Sequence, residues 1–257
     1  MNFHLEKLGN MNEANQELQS VLDRLLADQS VDRVLEAGCG SASHVRVGTN
    51  PYIAGIDISE KQLARNGHLD ERIKGDIQRY DFKDSSFDAV ICWDVLEHIP
   101  EPVMALENFV DAVREKGLII LAFPNVFSMK GLLTKYTPFG FHVWARRRLF
   151  GEKEAGTEDF GPFPVFMRYS IAPAAVERFA RDRGLIVEFL KVYESEMHQV
   201  FRQRNRLLGV MWKAIGTVVQ TISLGRIAAD LSDCMIVIRK PVTWTRMTNK
   251  SFPNART

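Results

Sequence analysis

Short apolar runs alternate along this chain with longer segments in which apolar residues recur at every third or fourth position. A short apolar run bounded by glycine or an acid is typical of a buried strand, whereas the wider spacing is typical of an amphipathic helix. The pattern predicts strands at 33–36, 52–57, 71–74, 87–92, 117–123, 185–192 and 233–239. Helices are predicted at 14–25, from the capping box at 59–62, at 103–113, and at 173–183 before Gly184.

This alternation predicts an α/β fold. Strands separated by helices form a parallel sheet whose two faces are both covered by helices. The 257 residues suffice for a substantial core, and no internal repeat divides them. We therefore predict one domain over residues 1–240, followed by a polar, proline-interrupted tail at 241–257 that is disordered.

Two stretches do not belong to the predicted scaffold. The first, 125–169, follows the fifth strand, and its length predicts a lid or substrate-binding insertion. The second, 193–232, lies between the last two strands and carries an apolar stripe with basic residues on both sides. Three interpretations stay open for this helical insertion: a roof over the substrate cavity, a homodimer face, or a peripheral membrane contact. The stripe consists of Leu207, Met211, Ile215, Val218 and Ile222.

Overall composition gives few further indications. A formal charge of +1 does not favour nucleic acid as a partner. The three cysteines, Cys39, Cys92 and Cys234, lack metal-ligand spacing and are typical of reduced thiols in the cytoplasm. The first ten residues contain no apolar run of the kind found in signal peptides. We expect a cytoplasmic protein, or one at the inner face of a membrane if the second insertion contacts lipid.

A cofactor-binding edge is indicated where the first two strands end. Gly38 and Gly40 follow the acid Glu36 and allow the backbone to turn and approach a ligand closely. Asp57 closes the second strand, where a carboxylate can accept hydrogen bonds from both hydroxyls of a ribose. Because Glu36 would repel a pyrophosphate but attract a cation, the pattern favours a cationic ligand over a dinucleotide.

At these residues the sequence resembles the class I S-adenosylmethionine-dependent methyltransferases, most closely their quinone O-methyltransferase and small-molecule branch. Four motifs carry the resemblance: EAGCGSAS at 36–43, GIDIS at 55–59, GDI at 75–77, and SFDAVICWDVLEHIP at 86–100. The usual third glycine of the loop is replaced by Ala42 or Ser43. The resemblance implies a Rossmann-like fold with a seven-stranded, mostly parallel sheet, one antiparallel strand, helices on both faces, and helical insertions.

S-adenosylmethionine is the cofactor that the resemblance implies. The loop at 36–43 would hold its methionine part, Asp57 its ribose, and Asp76 its adenine amino group. The full set of expected cofactor-binding residues is Glu36, Gly38, Cys39, Gly40, Asp57, Ile58, Asp76, Ile77 and Trp93.

A hydroxyl acceptor would require a base. His98, at the end of the fourth strand, is the first candidate, because an unperturbed histidine titrates near neutral pH. The alternative is that its ring only braces the turn. His142 in the lid and His198 in the second insertion are competing candidates. Asp94 and Glu97 lie near the same strand end, but two acids without a further ligand do not predict a metal site.

Aromatic and basic residues interleave in the predicted lid. This pattern favours a pocket for an acceptor with an apolar or planar part and an anionic part, although a solvated basic helix with buried rings fits it too. We expect methyl transfer to a hydroxyl or amine of a small-molecule, sugar or lipid-linked acceptor. Non-methyl or regulatory use of the cofactor, and a nicotinamide-dependent oxidoreductase, are the alternatives. The expected substrate-binding residues are Tyr136, Trp144, Arg147 and Tyr169.

Overall fold

Helices and strands alternate throughout the computed structural model, which describes residues 11–82, 86–149, 151, 153–157, 163–195, 199, 206–224, 227, 230–242 and 244. His198 and all but three residues of the predicted tail lie outside these ranges. The helices are α1 (Met11–Leu25), α2 (Glu60–Arg65), α3 (Pro102–Ala112), α4 (Met129–Tyr136), α5 (Phe139–Leu149), α6 (Pro173–Asp182) and α7 (Arg206–Ile222). The strands are β1 (Arg33–Ala37), β2 (Tyr52–Asp57), β3 (Glu71–Lys74), β4 (Phe87–Trp93), β5 (Val113–Pro124), β6 (Ile186–Tyr193) and β7 (Asp233–Arg239).

All seven strands form one sheet in the order β3-β2-β1-β4-β5-β7-β6. The first five pair in parallel, and β7 runs antiparallel to both of its neighbours. The predicted Rossmann-like sheet with a single antiparallel strand is thus confirmed. The carboxyl ends of β4 and β5 and the beginning of β7 consequently meet at one edge of the sheet.

Both faces of the sheet are buried, which explains why its strands are continuously apolar. On one face Val34 belongs to a cluster with Leu18 of α1. On the other face its neighbour Leu35 packs in a cluster with Phe109 of α3 and Phe179 of α6. Successive residues of β1 therefore face opposite layers of helices.

The boundary between α3 and β5 differs from the prediction. The helix ends at Ala112 and the strand already begins at Val113, which pairs with Phe87 ahead of a register shift. Lys116 has a φ of 62°, and a Cβ at Gly117 would lie 2.7 Å from a neighbouring backbone oxygen. Because residues 114–116 are polar and exposed, this irregular start of the strand left no apolar signal in the sequence.

The two insertions both emerge at the carboxyl edge of the sheet. The first continues from β5 into α4 and α5, and the second places α7 between β6 and β7. Three residues of the predicted α7 stripe, Ile215, Val218 and Ile222, are 48, 55 and 78% exposed, whereas Gly216 is buried. These three residues therefore point away from the protein body, which opposes their interpretation as part of a roof. No helix among the described residues is long and apolar enough to cross a membrane.

Candidate active site

The loop after β1 is shaped by glycines that no other residue could replace without strain. Gly38 and Gly40 have φ values of 71° and 51°, in the left-handed region. A Cβ at Gly38 would lie 2.5 Å from a side-chain carbon of Val95. The amide of Gly38 donates to the carbonyl of Ile56 at 2.8 Å, which ties the loop to β2. The backbone is thus held open as a cradle at the carboxyl edge.

Asp57 joins this loop to the end of β2. Its Oδ2 accepts from the amide of Gly40 at 2.9 Å, and its Oδ1 accepts from the amide of Ser59 at 2.8 Å. Each carboxylate oxygen has a second lone pair, so both can still accept from a ribose diol. Backbone amides thus orient the carboxylate of Asp57, which is predicted to bind the ribose diol. Ile58, the next residue, is 74% exposed.

Glu36 lies buried behind the glycine loop. Burial raises the pKa of its carboxyl group, while a 2.8 Å hydrogen bond from Ser43 to its Oε2 acts in the opposite direction. Burial also raises the pKa of Cys39 to about 12, so this thiol stays protonated and is a packing group. The cleft at this point is lined by Glu36, Ala37, Gly38, Cys39, Ala42, Ser43, His44, Ile91 and Trp93.

His44 is a cleft residue to which the sequence pattern assigned no role. Its ring stacks on Trp93 with a centroid separation of 5.5 Å and an interplanar angle of 8°. Burial lowers the pKa of His44, which favours the neutral ring. The position of His44 four residues after Gly40 was the only signal in the sequence that it lies near the loop. The fold shows that His44 and Trp93 together form one wall of the cleft.

The third motif lies at the end of β3. Asp76 Oδ1 accepts from both the backbone and the side-chain nitrogen of Gln78, each at 2.9 Å. Ile77 is buried, and its carbonyl accepts from Asn108 Nδ2 at 2.9 Å. The carboxylate of Asp76 is therefore fixed by its own turn, and the adenine contact expected of it stays a prediction.

His98 ends a 3-10 turn that follows β4. Its Nδ1 lies 2.8 Å from the carbonyl oxygen of Pro164, so this nitrogen carries a proton and donates it. Burial lowers the pKa of His98 from its ordinary value. The lowered pKa favours the neutral ring, in which Nε2 is a proton acceptor, and this nitrogen lies 3.8 Å from Oε1 of the buried Glu97. Bracing and base functions are compatible here, because they use different ring nitrogens.

The same turn clamps the returning end of the lid. The carbonyl of Glu97 accepts from the amides of Phe166 and Met167 at 2.8 and 3.2 Å. Arg168 donates from Nε to the carbonyl of Pro100 at 3.0 Å. Together with the bond of His98, these contacts attach residues 164–168 to the end of β4.

A cluster of acids and one lysine lies at the same edge. Lys130 Nζ contacts Asp233 Oδ1 at 3.0 Å, and Asp94 has a φ of 52°, which is unusual for a residue other than glycine. Desolvation, with Asp233 nearby, raises the pKa of Asp94 to about 6. Glu97 is buried, which raises its pKa well above the ordinary value, and its Oε2 has no hydrogen-bond partner among the described residues.

Sequence reasoning missed Asp233 and Lys130. The usable signal was that an antiparallel last strand must begin at the carboxyl edge, which brings Asp233 to the end of β4. No group of three or more metal-ligating side chains in the described part of the chain is arranged to hold a metal ion.

The structure brings two of the predicted substrate residues together. The hydroxyls of Tyr136 and Tyr169 are 2.6 Å apart, and this bond raises the pKa of Tyr169. The ring of Tyr169 stacks on Phe127 with a centroid separation of 5.5 Å, and the ammonium of Lys135 lies 4.4 Å from the centroid of the Tyr169 ring. These residues form an exposed aromatic surface with a cation, next to the end of β5.

The other predicted lid residues contact the lid itself. Arg147 donates from Nε to the carbonyl of Ala155 at 2.9 Å, and Trp144 stacks on Phe141 at 5.7 Å. His142 Nε2 lies 3.0 Å from the hydroxyl and 3.2 Å from the carbonyl of Thr137. These contacts hold the junction of α4 and α5 and the segment after it, so the described geometry gives His142 a bracing position.

Comparison with known proteins finds similarity to methyltransferases. Residues 35–121 match a family model described as a methyltransferase domain. The ubiquinone biosynthesis O-methyltransferase of Thiobacillus denitrificans is 29% identical over 168 residues, which cover 62% of this chain and 66% of that protein. The protein of the same description from Aromatoleum aromaticum is 27% identical over 188 residues, covering 67% of this chain and 72% of the relative. The matched region thus spans about two thirds of these relatives' length.

Solved structures show the same fold at low identity. Phosphoethanolamine N-methyltransferase 2 of Haemonchus contortus, in complex with S-adenosyl-L-methionine, has a TM-score of 0.50 and 17% identity over 88% of this chain and 52% of that chain. The [4+2]-cyclase SpnF also has a TM-score of 0.50, with 15% identity over 90% of this chain and 83% of that chain. The likeness to each establishes the fold alone.

Proposed function

We propose that this class I S-adenosylmethionine-dependent methyltransferase transfers the methyl group to a hydroxyl of a small-molecule acceptor held between the ends of β4 and β5. The observation that carries the proposal is the hydrogen bond from His98 Nδ1 to the carbonyl of Pro164, which makes Nε2 the proton acceptor of the neutral ring that the lowered pKa favours. The description of the relatives as O-methyltransferases supports a hydroxyl over an amine.

The residues of the cleft fit S-adenosylmethionine. Val95 fills the space where a Cβ at Gly38 would lie, whereas a Cβ at Gly40 would meet nothing within 4 Å, so the loop backbone is open to a ligand at Gly40. The buried carboxyl group of Glu36 suits a ligand with ammonium and sulfonium charges, and Asp57 suits its ribose. When bound, the cofactor supplies a methyl group already activated by the positive sulfur. The protein then has to place the acceptor oxygen in line and remove its proton.

His98 performs the proton transfer in this proposal. The acceptor hydroxyl donates to Nε2, and the proton moves to that nitrogen as the oxygen is methylated. Because the bond from Nδ1 to Pro164 is present before and after the transfer, the ring keeps its orientation and the imidazolium keeps a partner for its second N–H. The lowered pKa of His98 favours the unprotonated ring, which is the form that a base requires.

The acceptor is bound on the lid side by aromatic and cationic groups. Phe127, Tyr136 and Tyr169 offer flat apolar surface and hydroxyls, and Lys135 adds a positive charge beside them. These groups belong to the segment that follows β5, and β5 neighbours β4, the strand that precedes the turn of His98. An acceptor with a planar or apolar body and an anionic group, free or linked to a sugar or lipid, fits this chemistry.

The alternative is use of the cofactor for a non-methyl reaction or a regulatory purpose, which would give cofactor binding without methyl transfer. A nicotinamide-dependent oxidoreductase is less compatible with the site, because the buried acid at residue 36 would oppose a pyrophosphate.

Two measurements test the proposal. Calorimetric titration with S-adenosylmethionine and S-adenosylhomocysteine, with reduced nicotinamide nucleotide as the control, should show binding of the adenosyl compounds alone. Incubation with methyl-labelled cofactor and a set of catechols and hydroquinones should then yield S-adenosylhomocysteine and a labelled ether. Cofactor binding without product from any hydroxyl acceptor, with label appearing on amines instead, would overturn the assignment of the acceptor atom.

A further inference from the structure

The helix α7 presents an apolar surface that the described protein does not cover. Val210, Ile215, Val218 and Ile222 are 66, 48, 55 and 78% exposed, and Leu224 just beyond them is 85% exposed. The opposite side of the helix faces the protein: Gly216 is buried, and the half-buried Trp212 donates to Asp230 at 3.0 Å. A contiguous aliphatic surface of this kind indicates a binding partner.

The charge of the chain is distributed unevenly along the sequence. Residues 125–151 and 197–229 contain ten of the 33 lysines and arginines and none of the 32 aspartates and glutamates. The rest of the chain therefore has 23 basic against 32 acidic residues, and the formal charge of +1 conceals two strongly basic insertions. Such a distribution attracts an anionic partner to the insertions and not to the rest of the molecule.

Both basic segments emerge at the same edge of the sheet. Residues 125–151 follow the carboxyl end of β5, and residues 197–229 connect the end of β6 to the beginning of the antiparallel β7. The first segment also exposes aromatic rings, among them Tyr136, Phe141 and Trp144, which are 68, 51 and 51% exposed. One side of the molecule thus combines exposed apolar groups with positive charge, and it is the side of the proposed acceptor site.

We propose that α7 docks this edge of the protein on an anionic lipid bilayer. An interfacial helix buries an apolar stripe in the headgroup region while neighbouring basic residues attract anionic lipid, and α7 with its flanking arginines has both features. The exposed groups of the stripe are aliphatic and offer nothing to hydrogen-bond a nucleic acid. The inference rests on the proposed function insofar as the bilayer would deliver an apolar or lipid-linked acceptor to the site.

Vesicle sedimentation tests the docking directly. The full chain is mixed with vesicles of phosphatidylcholine alone or of equal parts phosphatidylcholine and phosphatidylglycerol, and pelleted protein is measured at low and high salt. The double variant Val218→Glu/Ile222→Glu places two charges in the stripe. Gln220→Glu is the matched control, because residue 220 is exposed but lies about 160° around the helix from residue 218, at about 100° per residue.

We expect the wild type and Gln220→Glu to sediment with the anionic vesicles, less so at high salt, and hardly with phosphatidylcholine alone. The double variant should partition at least about tenfold more weakly, since it loses apolar burial and gains repulsion from the lipid. Its cofactor affinity should be unchanged, which shows that it is folded. Because cofactor binding and turnover of a water-soluble acceptor do not require vesicles, failure of the docking proposal is distinguishable from failure of the proposed function.

Three results would overturn the proposal. The first is sedimentation that is absent, or equal for the double variant and the wild type. The second is a dimer, detected by analytical ultracentrifugation, that the double variant dissociates while vesicles bind neither protein; a second copy would then be the occupant. The third is saturable binding of single-stranded RNA that competes with vesicles and survives the stripe substitutions.

Discussion

Replacement of His98 separates a base from a brace, because the two functions use different ring nitrogens. In His98→Asn the amide nitrogen stands at nearly the same distance along the side chain as Nδ1, so the bond to Pro164 can be kept. In His98→Ala that bond is lost. Both variants lack Nε2. A base function predicts that both are inactive, whereas a bracing function predicts that only the alanine variant is impaired.

The magnitudes follow from the two contributions. General base catalysis typically contributes about 10²–10⁴-fold in rate, so both variants should lose about that factor in kcat. The hydrogen bond to Pro164 should contribute about 0.5–1.5 kcal/mol to the free energy of unfolding, and only the alanine variant should lose it. Cofactor affinity should be unchanged in both, because His98 does not line the cleft behind the glycine loop.

The pH profile supplies an independent readout. Burial disfavours the imidazolium, so the pKa of His98 lies below its ordinary value of 6.5. The ring is protonated and inactive below that pKa and neutral and active above it. The kcat of the wild type should therefore rise with pH in the acidic range and level off before neutrality. The residual rate of His98→Asn should lack this rise.

The assay is transfer of labelled methyl groups under saturating cofactor, with urea unfolding of each variant in parallel. The reasoning would be refuted if His98→Asn retained kcat within about twofold of the wild type while His98→Ala lost both activity and stability. His98 would then act only as the clamp that attaches residues 164–168 to the end of β4.

Three further substitutions test other parts of the site. Asp57→Ala should raise the Kd for S-adenosylmethionine about tenfold to a hundredfold, because it removes acceptors for the diol; an unchanged Kd in calorimetry would exclude that role. Gly38→Ala should destabilise the protein by about 1–3 kcal/mol, because residue 38 has a positive φ and its new Cβ would lie 2.5 Å from a carbon of Val95. Gly67→Ala is the control and should be nearly neutral, because a Cβ there would have nothing within 4 Å. Equal melting temperatures of the two variants would contradict this prediction. Lys130→Met removes a cation that lowers the pKa of Asp94, which should then exceed its present value of about 6. A carboxyl group whose pKa is raised on folding destabilises the protein as the pH rises from its unfolded-state pKa to its folded-state pKa. In the variant, the unfolding free energy should therefore continue to fall with pH above about 6, where the wild-type contribution of Asp94 levels off. Parallel curves for the two proteins would refute the coupling.

The glycine loop and the acid at the end of β2 could be predicted from the sequence because their determinants are local. Gly38 and Gly40 follow their strand directly, and Asp57 ends the next strand along the chain, so neighbouring residues define the loop and its acid. The alternation of apolar strands and amphipathic helices likewise predicted all seven strands and their α/β class, since each pattern reflects burial within a few residues.

Features that combine distant segments appeared only in the tertiary structure. The Lys130–Asp233 pair joins residues 103 positions apart, and the bond from His98 to Pro164 spans 66 positions. The outward direction of the α7 stripe is of the same kind, because hydrophobic periodicity defines a face without showing what lies against it. The sequence by itself therefore determined the elements and the cofactor loop, which depend on short-range contacts. Sheet order and packing decided the proposed acceptor side of the site, because only the fold brings residues so far apart in the chain to one edge.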